Sequence, residues 1–420
     1  MKMHTFKHPT PSRNKTRKTK GGKVIGSGGF GCIFRPALKC KSQKKTKNHR
    51  FGYSDQVTKL MTVNHAKKEY AEITKYNNIL DKIPNYKNYF LLGDISLCEP
   101  DELTHDDLKN YKEKCKALNK KGITEGQINT SLNEVLALNM PNGGIDIESF
   151  LETNPSKQQL LQLNMSLIQL LSKAIIPMNK LHVYHCDIKD SNVLVENTKD
   201  TSMYTRLIDW GLSTRYSDEH RIPDILTRRP FQFNVPFSII LFTSEFIEYY
   251  NDFLKKHETP DYFMIREFVI NYIFAWIDIR GKGHLKTINK IMVQLFINDI
   301  PVINKNKRKN FIVYDFTYYY IIEYISRILE KYTYDKKFHL YEYFSKVFIK
   351  NIDIWGFVMI YLPILEKWYD TKDKMTQEET NMFKTLKYIF VHFLFENPVD
   401  PIDTSKLIQH LNHLTLYFSK

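Results

Sequence analysis

Apolar and polar residues recur with two different periods along this chain, and the change of period marks out its parts. Near the N-terminus, Ile25 and Cys32-Ile33-Phe34 flank a run of glycines, the pattern of a strand, a glycine turn and a second strand that breaks at Pro36. Residues 57–61 (Val-Thr-Lys-Leu-Met) alternate as a strand does, and residues 90–97 and 132–140 are strand-like. Between these lies a helical run over about 64–78. Glu69 is followed there at +1, +4 and +7 by Tyr70, Ile73 and Tyr76, which puts the three on one helix face with the carboxylate at its edge. Residues 160–181 read as a longer helix, 193–195 as a short apolar strand, and 207–208 as the end of another. Residues 100–122 are charged and read as helical. Tyr, Phe and Ile recur at helical spacing through 239–350, as in 318–329, and 404–416 is helical again.

Composition adds size and an uneven charge. The 420 residues are 42% hydrophobic and 14% aromatic, enough to bury a sizeable core in two or three domain-sized units or in one bilobed domain with insertions. Of 61 Lys and Arg, 15 fall in residues 1–54, where there is no acid; the remaining 46 balance 46 Asp and Glu, so the whole net charge of +15 belongs to that first segment. Residues 1–20 have no apolar period and read as a disordered basic arm, either solubilising or recruiting an anionic partner such as nucleic acid or lipid. The five cysteines (32, 40, 98, 115 and 186) form no C-x-x-C pair and are odd in number, so neither a zinc ribbon nor a disulfide framework is expected, and a reducing compartment is. The apolar runs at 268–277 and 312–325 are too short or too interrupted to span a bilayer, so no transmembrane segment is expected.

The chemistry is concentrated in His185-Cys186-Asp187-Ile188-Lys189-Asp190-Ser191-Asn192, between the long helix and the short strand. A carboxylate, an ammonium two residues on and an amide five residues on suit phosphoryl transfer: one accepts a hydroxyl proton, one balances the moving phosphate, one holds a metal. Seventeen residues beyond Asn192 comes Asp209-Trp210-Gly211, a second carboxylate before a glycine. Upstream, Ile25-Gly26-Ser27-Gly28-Gly29-Phe30-Gly31-Cys32-Ile33 contains G-x-G-x-x-G, and strand rather than helix follows it, which argues against a dinucleotide fold.

This order resembles the protein kinases, whose catalytic loop reads H-R-D-x-K-x-x-N and is followed by D-F-G. The resemblance covers about residues 21–416. It implies an α+β, bilobed, protein-kinase-like fold, with a small, mostly antiparallel β lobe holding one main helix (21–140, insertions at about 38–55 and 100–128). A larger, mainly α lobe would follow (141–420, with a helical insertion at about 239–350). It further implies ATP between the lobes, with its phosphates under residues 25–33 and on Lys59, which outranks Lys39 because it lies on a strand. Glu69, with Glu72 as the alternative, would pair with that lysine. Met140 would be the gatekeeper of the hinge and Asp146 would meet the ribose, unless it caps the helix 147–151. Magnesium, or manganese, would sit on Asn192 and Asp209. Asp187 would deprotonate the acceptor hydroxyl, and Lys189 would steady the γ-phosphate. Asp353-Ile354-Trp355-Gly356 resembles the D-x-W helix that pins the catalytic loop through its Asp.

The departures from the pattern are informative. Cys186 replaces the Arg that ordinarily pairs with a phosphorylated activation loop, so activity independent of loop phosphorylation is expected. Thr58 replaces a small apolar residue of the lysine strand. Residues 235–238 (Val-Pro-Phe-Ser) stand where A-P-E belongs, without the anchoring acid, and Pro230 stands where Ser/Thr kinases keep a threonine. The Lys- and Asn-rich composition and these departures resemble the kinases of large DNA viruses. The resemblance implies a monomeric, cytoplasmic (or virion) Ser/Thr protein kinase acting on protein substrates. The alternatives are a silent pseudokinase scaffold or a small-molecule kinase sharing the core, and the 239–350 insertion is either a packing cover or a docking surface.

Overall fold

The computed structural model describes residues 22–41, 55–197, 202–217, 221–299, 317–370 and 375–418. The basic arm, most of the lysine-rich 39–54 connection and the start of the 312–325 run lie outside them. The fold is mixed α+β, in two compact units: residues 1–70 with 94–142, and residues 71–93 with 143–420.

In the first unit, strands β1 (Lys23–Ser27), β2 (Gly31–Arg35), β3 (Gln56–Thr62), β4 (Ser96–Cys98) and β5 (Val135–Pro141) form one antiparallel sheet in the order β1-β2-β3-β5-β4. Helix α1 (Val63–Leu80) follows β3 directly. The strand expected over 90–97 shrinks to the three residues of β4, because Phe90 instead bridges Leu207 within the second unit. The expected helix over 100–122 is two single turns, α2 (Tyr111–Lys114) and α3 (Lys116–Asn119). Their segment is no peripheral insertion: Tyr111, Leu118, Ile123 and Ile128 are buried with Val24, Phe34, Leu60 and Val135 in a single apolar cluster.

That cluster corrects the cysteine expectation. Disulfides join Cys32 to Cys115 and Cys40 to Cys98, leaving only Cys186 as a buried thiol. The partners are 83 and 58 residues apart, so only the sheet and the segment packed on it bring them together. The argument for a reducing compartment goes with that expectation.

The second unit is mainly helical. Two small sheets, β6 (Ile145–Asp146) with β8 (Val193–Asn197) and β9 (Met203–Leu207), and β7 (Val183–Tyr184) with β10 (Thr214–Arg215), frame the segment 185–192. Helix α4 (Ile147–Glu152) starts on Asp146, and α5 (Lys157–Leu170) continues through a π turn into α6 (Ile176–Lys180). Leu163, Leu167, Leu170, Ala174 and Met178 are buried along that helix at intervals of three and four, as the periodicity predicts. The 239–350 segment is helical over α7 (Ser244–Lys256), α8 (Tyr262–Arg280), α9 (Leu285–Phe296) and Thr317–Tyr332. Its aromatic residues interlock inward: Phe246 contacts Tyr250, Phe268, Tyr272 and Phe338. The segment is therefore part of the core, although Phe263 and Phe274 remain on its outer side.

Among the described residues, two helical stretches are long and apolar enough to cross a membrane, 157–180 and 340–369, and their most apolar windows are 44% and 89% buried within the protein. Neither coincides with the runs weighed from the sequence.

Each disulfide closes a long loop and should stabilise the fold by about 4 kcal/mol. Alkylation of the denatured, unreduced chain should label one cysteine, Cys186, and five after reduction. Cys115→Ser should lower the melting temperature by several degrees; five labels without reduction would remove both pairs.

Candidate active site

In the first unit, β3 presents Lys59 on one face of the sheet, and the period of two carries Val57 and Met61 to the same side. Their cross-strand partners are Met140 for Val57 and Leu138 for Lys59, so Met140 shares the lysine's face. Thr58 points the other way. It is fully buried, its hydroxyl accepts from the Leu38 N–H at 2.7 Å and donates to the Asn139 side chain, and Asn139 contacts Cys40 Sγ. Val57, not Thr58, therefore shares the lysine's face, and Thr58 belongs to the core. Lys59 Nζ donates to both oxygens of Glu69, at 2.7 and 2.8 Å, which selects Glu69 over Glu72. The pair is mostly shielded from water, so its mutual attraction is screened less than that of a surface pair.

The glycine hairpin closes with Gly28 N–H donating to the Gly31 carbonyl at 2.9 Å. Ile25 and Phe30 are exposed, Phe30 stacks on His65, and Ile33 pairs with Gly26 and with Lys59 across the sheet. Gly29 has open space around it, and a β-carbon on Gly28 would lie 3.9 Å from Lys59 Cε, so the turn and the lysine share one side. Ser27 faces the packed segment instead: its hydroxyl accepts from the Ala117 N–H. Cys32 turns into the core and its disulfide, so its contribution on the loop face is its backbone.

The second unit builds its part around Asp187, which is 7% exposed. Lys189 Nζ donates to Oδ2 at 3.0 Å, and Asn192 Nδ2 donates to the same oxygen at 3.0 Å and to the Asp187 carbonyl at 2.8 Å. Asn234 Nδ2 donates to Oδ1 at 2.8 Å, and Arg229 Nη2 lies 3.6 Å from Oδ1. Burial alone would push the carboxyl up; Lys189, the Asn234 hydrogen bond and Arg229 outweigh it and hold the group below its ordinary value, ionised at neutral pH. With its amide nitrogen engaged on Asp187, Asn192 keeps its oxygen for a cation. Asp209 is exposed at the end of its strand, so the two offer the hard oxygen donors magnesium prefers. Among the described residues there is no cluster of three or more His, Cys, Asp or Glu that could hold a metal.

Two residues here have left-handed backbones, Cys186 (φ 60°) and Asp209 (φ 65°), a conformation that costs about 1 kcal/mol or more and persists only where the surroundings enforce it. The enforcement is visible in both cases. Asp353, fully buried in the helix Ile349–Met359, accepts from the N–H groups of His185 (2.9 Å) and Cys186 (2.8 Å) and from Asn179 Nδ2 (2.7 Å). Trp210, next to Asp209, is held among the rings of Tyr76, Phe90 and His185. His185 Nε2 lies 3.0 Å from the Ile208 carbonyl, which ties the two turns together.

The segment that lacks the anchoring acid is fixed by other means. Trp355 Nε1 donates to the Phe233 carbonyl at 2.8 Å, and the Ser238 and Tyr343 hydroxyls are 2.7 Å apart. Gly356 must be glycine: a β-carbon there would lie 2.5 Å from the Ile188 carbonyl oxygen and 3.2 Å from that of Asn234. Asp146 is seen as a helix cap, its carboxylate accepting from the Ser149 N–H and hydroxyl at 2.9 and 2.8 Å. Arg229 and Asn234 could not be found by spacing, because they meet Asp187 from more than 40 residues away.

No family model matches this chain, and no curated protein matches it either.

One neighbour of the site is electrostatically uncomfortable. Asp190 is raised to about 6 by burial and by the nearby Glu148 and Asp146 carboxylates. A folded-state value above the unfolded one means that ionising this group opposes folding; the cost is absent below about pH 4 and complete above about pH 6. Asp190→Asn should therefore raise the unfolding free energy by roughly 1–3 kcal/mol at pH 7.5 and by nothing at about pH 4, measured by denaturant titration at both.

Proposed function

We propose that this chain is an ATP-dependent kinase that transfers the γ-phosphoryl group to Ser or Thr hydroxyls of proteins, with a bilobed kinase-like fold. The observation that carries the reading is the Asp187 carboxylate, ionised, met by Lys189, Asn192, Asn234 and Arg229, and backed through the loop by buried Asp353. A carboxylate needs this setting to accept a proton from an alcohol as the oxygen attacks phosphorus.

The backbone of the glycine hairpin and the ammonium of Lys59, oriented by Glu69, would hold the phosphates. Asn192 and Asp209 would hold magnesium, which when bound offsets the charge of the phosphate oxygens. The acceptor hydroxyl hydrogen-bonds to Asp187, and its proton passes to that carboxylate as the new P–O bond forms and the bond to the β-phosphate oxygen breaks. Lys189, already on Asp187, would compensate charge gathering on the transferred group. Such catalysis is mostly positioning and electrostatics, so no covalent intermediate on the protein is required. Serine or threonine as acceptor rests on the resemblance through Lys189, the protein substrate on Lys189 and the Asp353 helix, and the cytoplasmic location on the resemblance to viral kinases.

Radiolabelled γ-phosphate should pass from Mg-ATP to a generic basic or acidic protein, and Asp187→Asn should reduce the rate by about three orders of magnitude or more. Label on small alcohols alone would make the chain a small-molecule kinase; thermal stabilisation by Mg-ATP without transfer would make it a scaffold. Phosphatase pretreatment should leave turnover unchanged, since a thiol at 186 cannot grip a phosphorylated loop.

A further inference from the structure

The residue that stands at the position of the family's catalytic-loop arginine is a buried thiol, whose Sγ donates to the Tyr184 carbonyl at 3.6 Å. A guanidinium reaches the same place from elsewhere in the chain. Arg229, 6% exposed, donates from Nη1 to the carbonyl of Cys186, sets Nη2 3.6 Å from Asp187 Oδ1, and donates from Nε to Gln232 Oε1. Asn234, 1% exposed, adds the 2.8 Å bond to the same carboxylate oxygen and a 3.3 Å bond to the Ile188 carbonyl. One oxygen of Asp187 is thus held by the loop's own Lys189 and Asn192, and the other by a segment 42 to 47 residues downstream.

That segment is clamped on both sides. His284 N–H donates to the Phe231 carbonyl at 2.8 Å, and the His284 ring lies 5.5 Å from that of Phe233. Gly283, with φ 49°, admits the approach: a β-carbon there would come 2.4 Å from the Phe231 carbonyl oxygen. Trp355 holds the Phe233 carbonyl from the other side. Burying a guanidinium costs several kcal/mol unless its partners are good, and here the partners are backbone and carboxylate of the catalytic loop.

We propose that Arg229 is a positioning residue of the transfer, a permanently installed cation that fixes Asp187 and the Cys186 carbonyl in place of a phosphorylation-dependent contact, and that the start of α9 holds it there. The inference rests on the reading of Asp187 as the proton acceptor. A fixed guanidinium provides a rigid fork of donors, which a flexible ammonium reproduces only in part, so the site is assembled as the chain folds and no modification is needed to complete it.

The experiment compares wild type, Arg229→Met, Arg229→Lys and Asn234→Ala in the full chain, with kcat expressed per folded molecule and nucleotide affinity measured separately. R229M should lower kcat by about 10- to 100-fold with the KM for ATP within about twofold, and R229K should recover part of the loss. A kcat within twofold of wild type in folded R229M overturns the inference while leaving the kinase reading intact; so does an equal loss of nucleotide affinity. A double-mutant cycle of R229K with Asp187→Asn, read by melting temperature, needs no activity. Non-additive shifts support the contact and additive ones refute it. Should wild type transfer no phosphate, the kinase reading fails while the cycle still reports whether Arg229 holds Asp187.

Discussion

A single carboxylate, that of Asp353, holds the second unit's chemistry in register. It is wholly removed from water, which for an isolated charge would be prohibitive, and it is tolerable because three donors converge on its two oxygens. Two of the three are consecutive backbone N–H groups, so the carboxylate dictates the path of the chain at His185 and Cys186 and stabilises the left-handed turn at Cys186. The helix that carries Asp353 must then lie hard against the loop, and Gly356, one turn on, is the residue that lets it.

From that fixed turn the rest of the site follows as an accounting of polar groups. Both oxygens of Asp187 are engaged, and each donor is itself oriented: Asn192 also binds the Asp187 carbonyl, and Asn234 also reaches the Ile188 carbonyl. A carboxylate so surrounded has little rotational freedom. It is pre-organised, its conformational entropy already lost in folding.

The first unit solves a different problem, how to keep a thin sheet rigid. Its strands are short, and the sheet builds its core on one face. The segment after β4 supplies that core with Tyr111, Leu118, Ile123 and Ile128, and two disulfides fasten it. On the opposite face Lys59 is set by Glu69.

Local pattern was enough to write down the elements that carry chemistry. The alternation through 57–61, the helical spacing after Glu69 and the order Asp187, Lys189, Asn192 are properties of neighbouring residues, and a period survives whatever the chain packs against. The α+β class came from the family resemblance that those neighbouring residues carry. What depended on chain segments meeting from far apart could not be read from local pattern. The disulfides span 58 and 83 residues, Asn234 and Arg229 reach Asp187 across more than 40, and the buried segment between β4 and β5 looks, by charge alone, like a solvated insertion. Which face of β3 is core was likewise open until the pairing with Asn139 showed Thr58 on the buried side. Sequence specifies local geometry through sterics and hydrophobic period; partner choice across the fold is decided by which apolar faces and which buried charges can be satisfied together, and that is settled only when the whole chain packs.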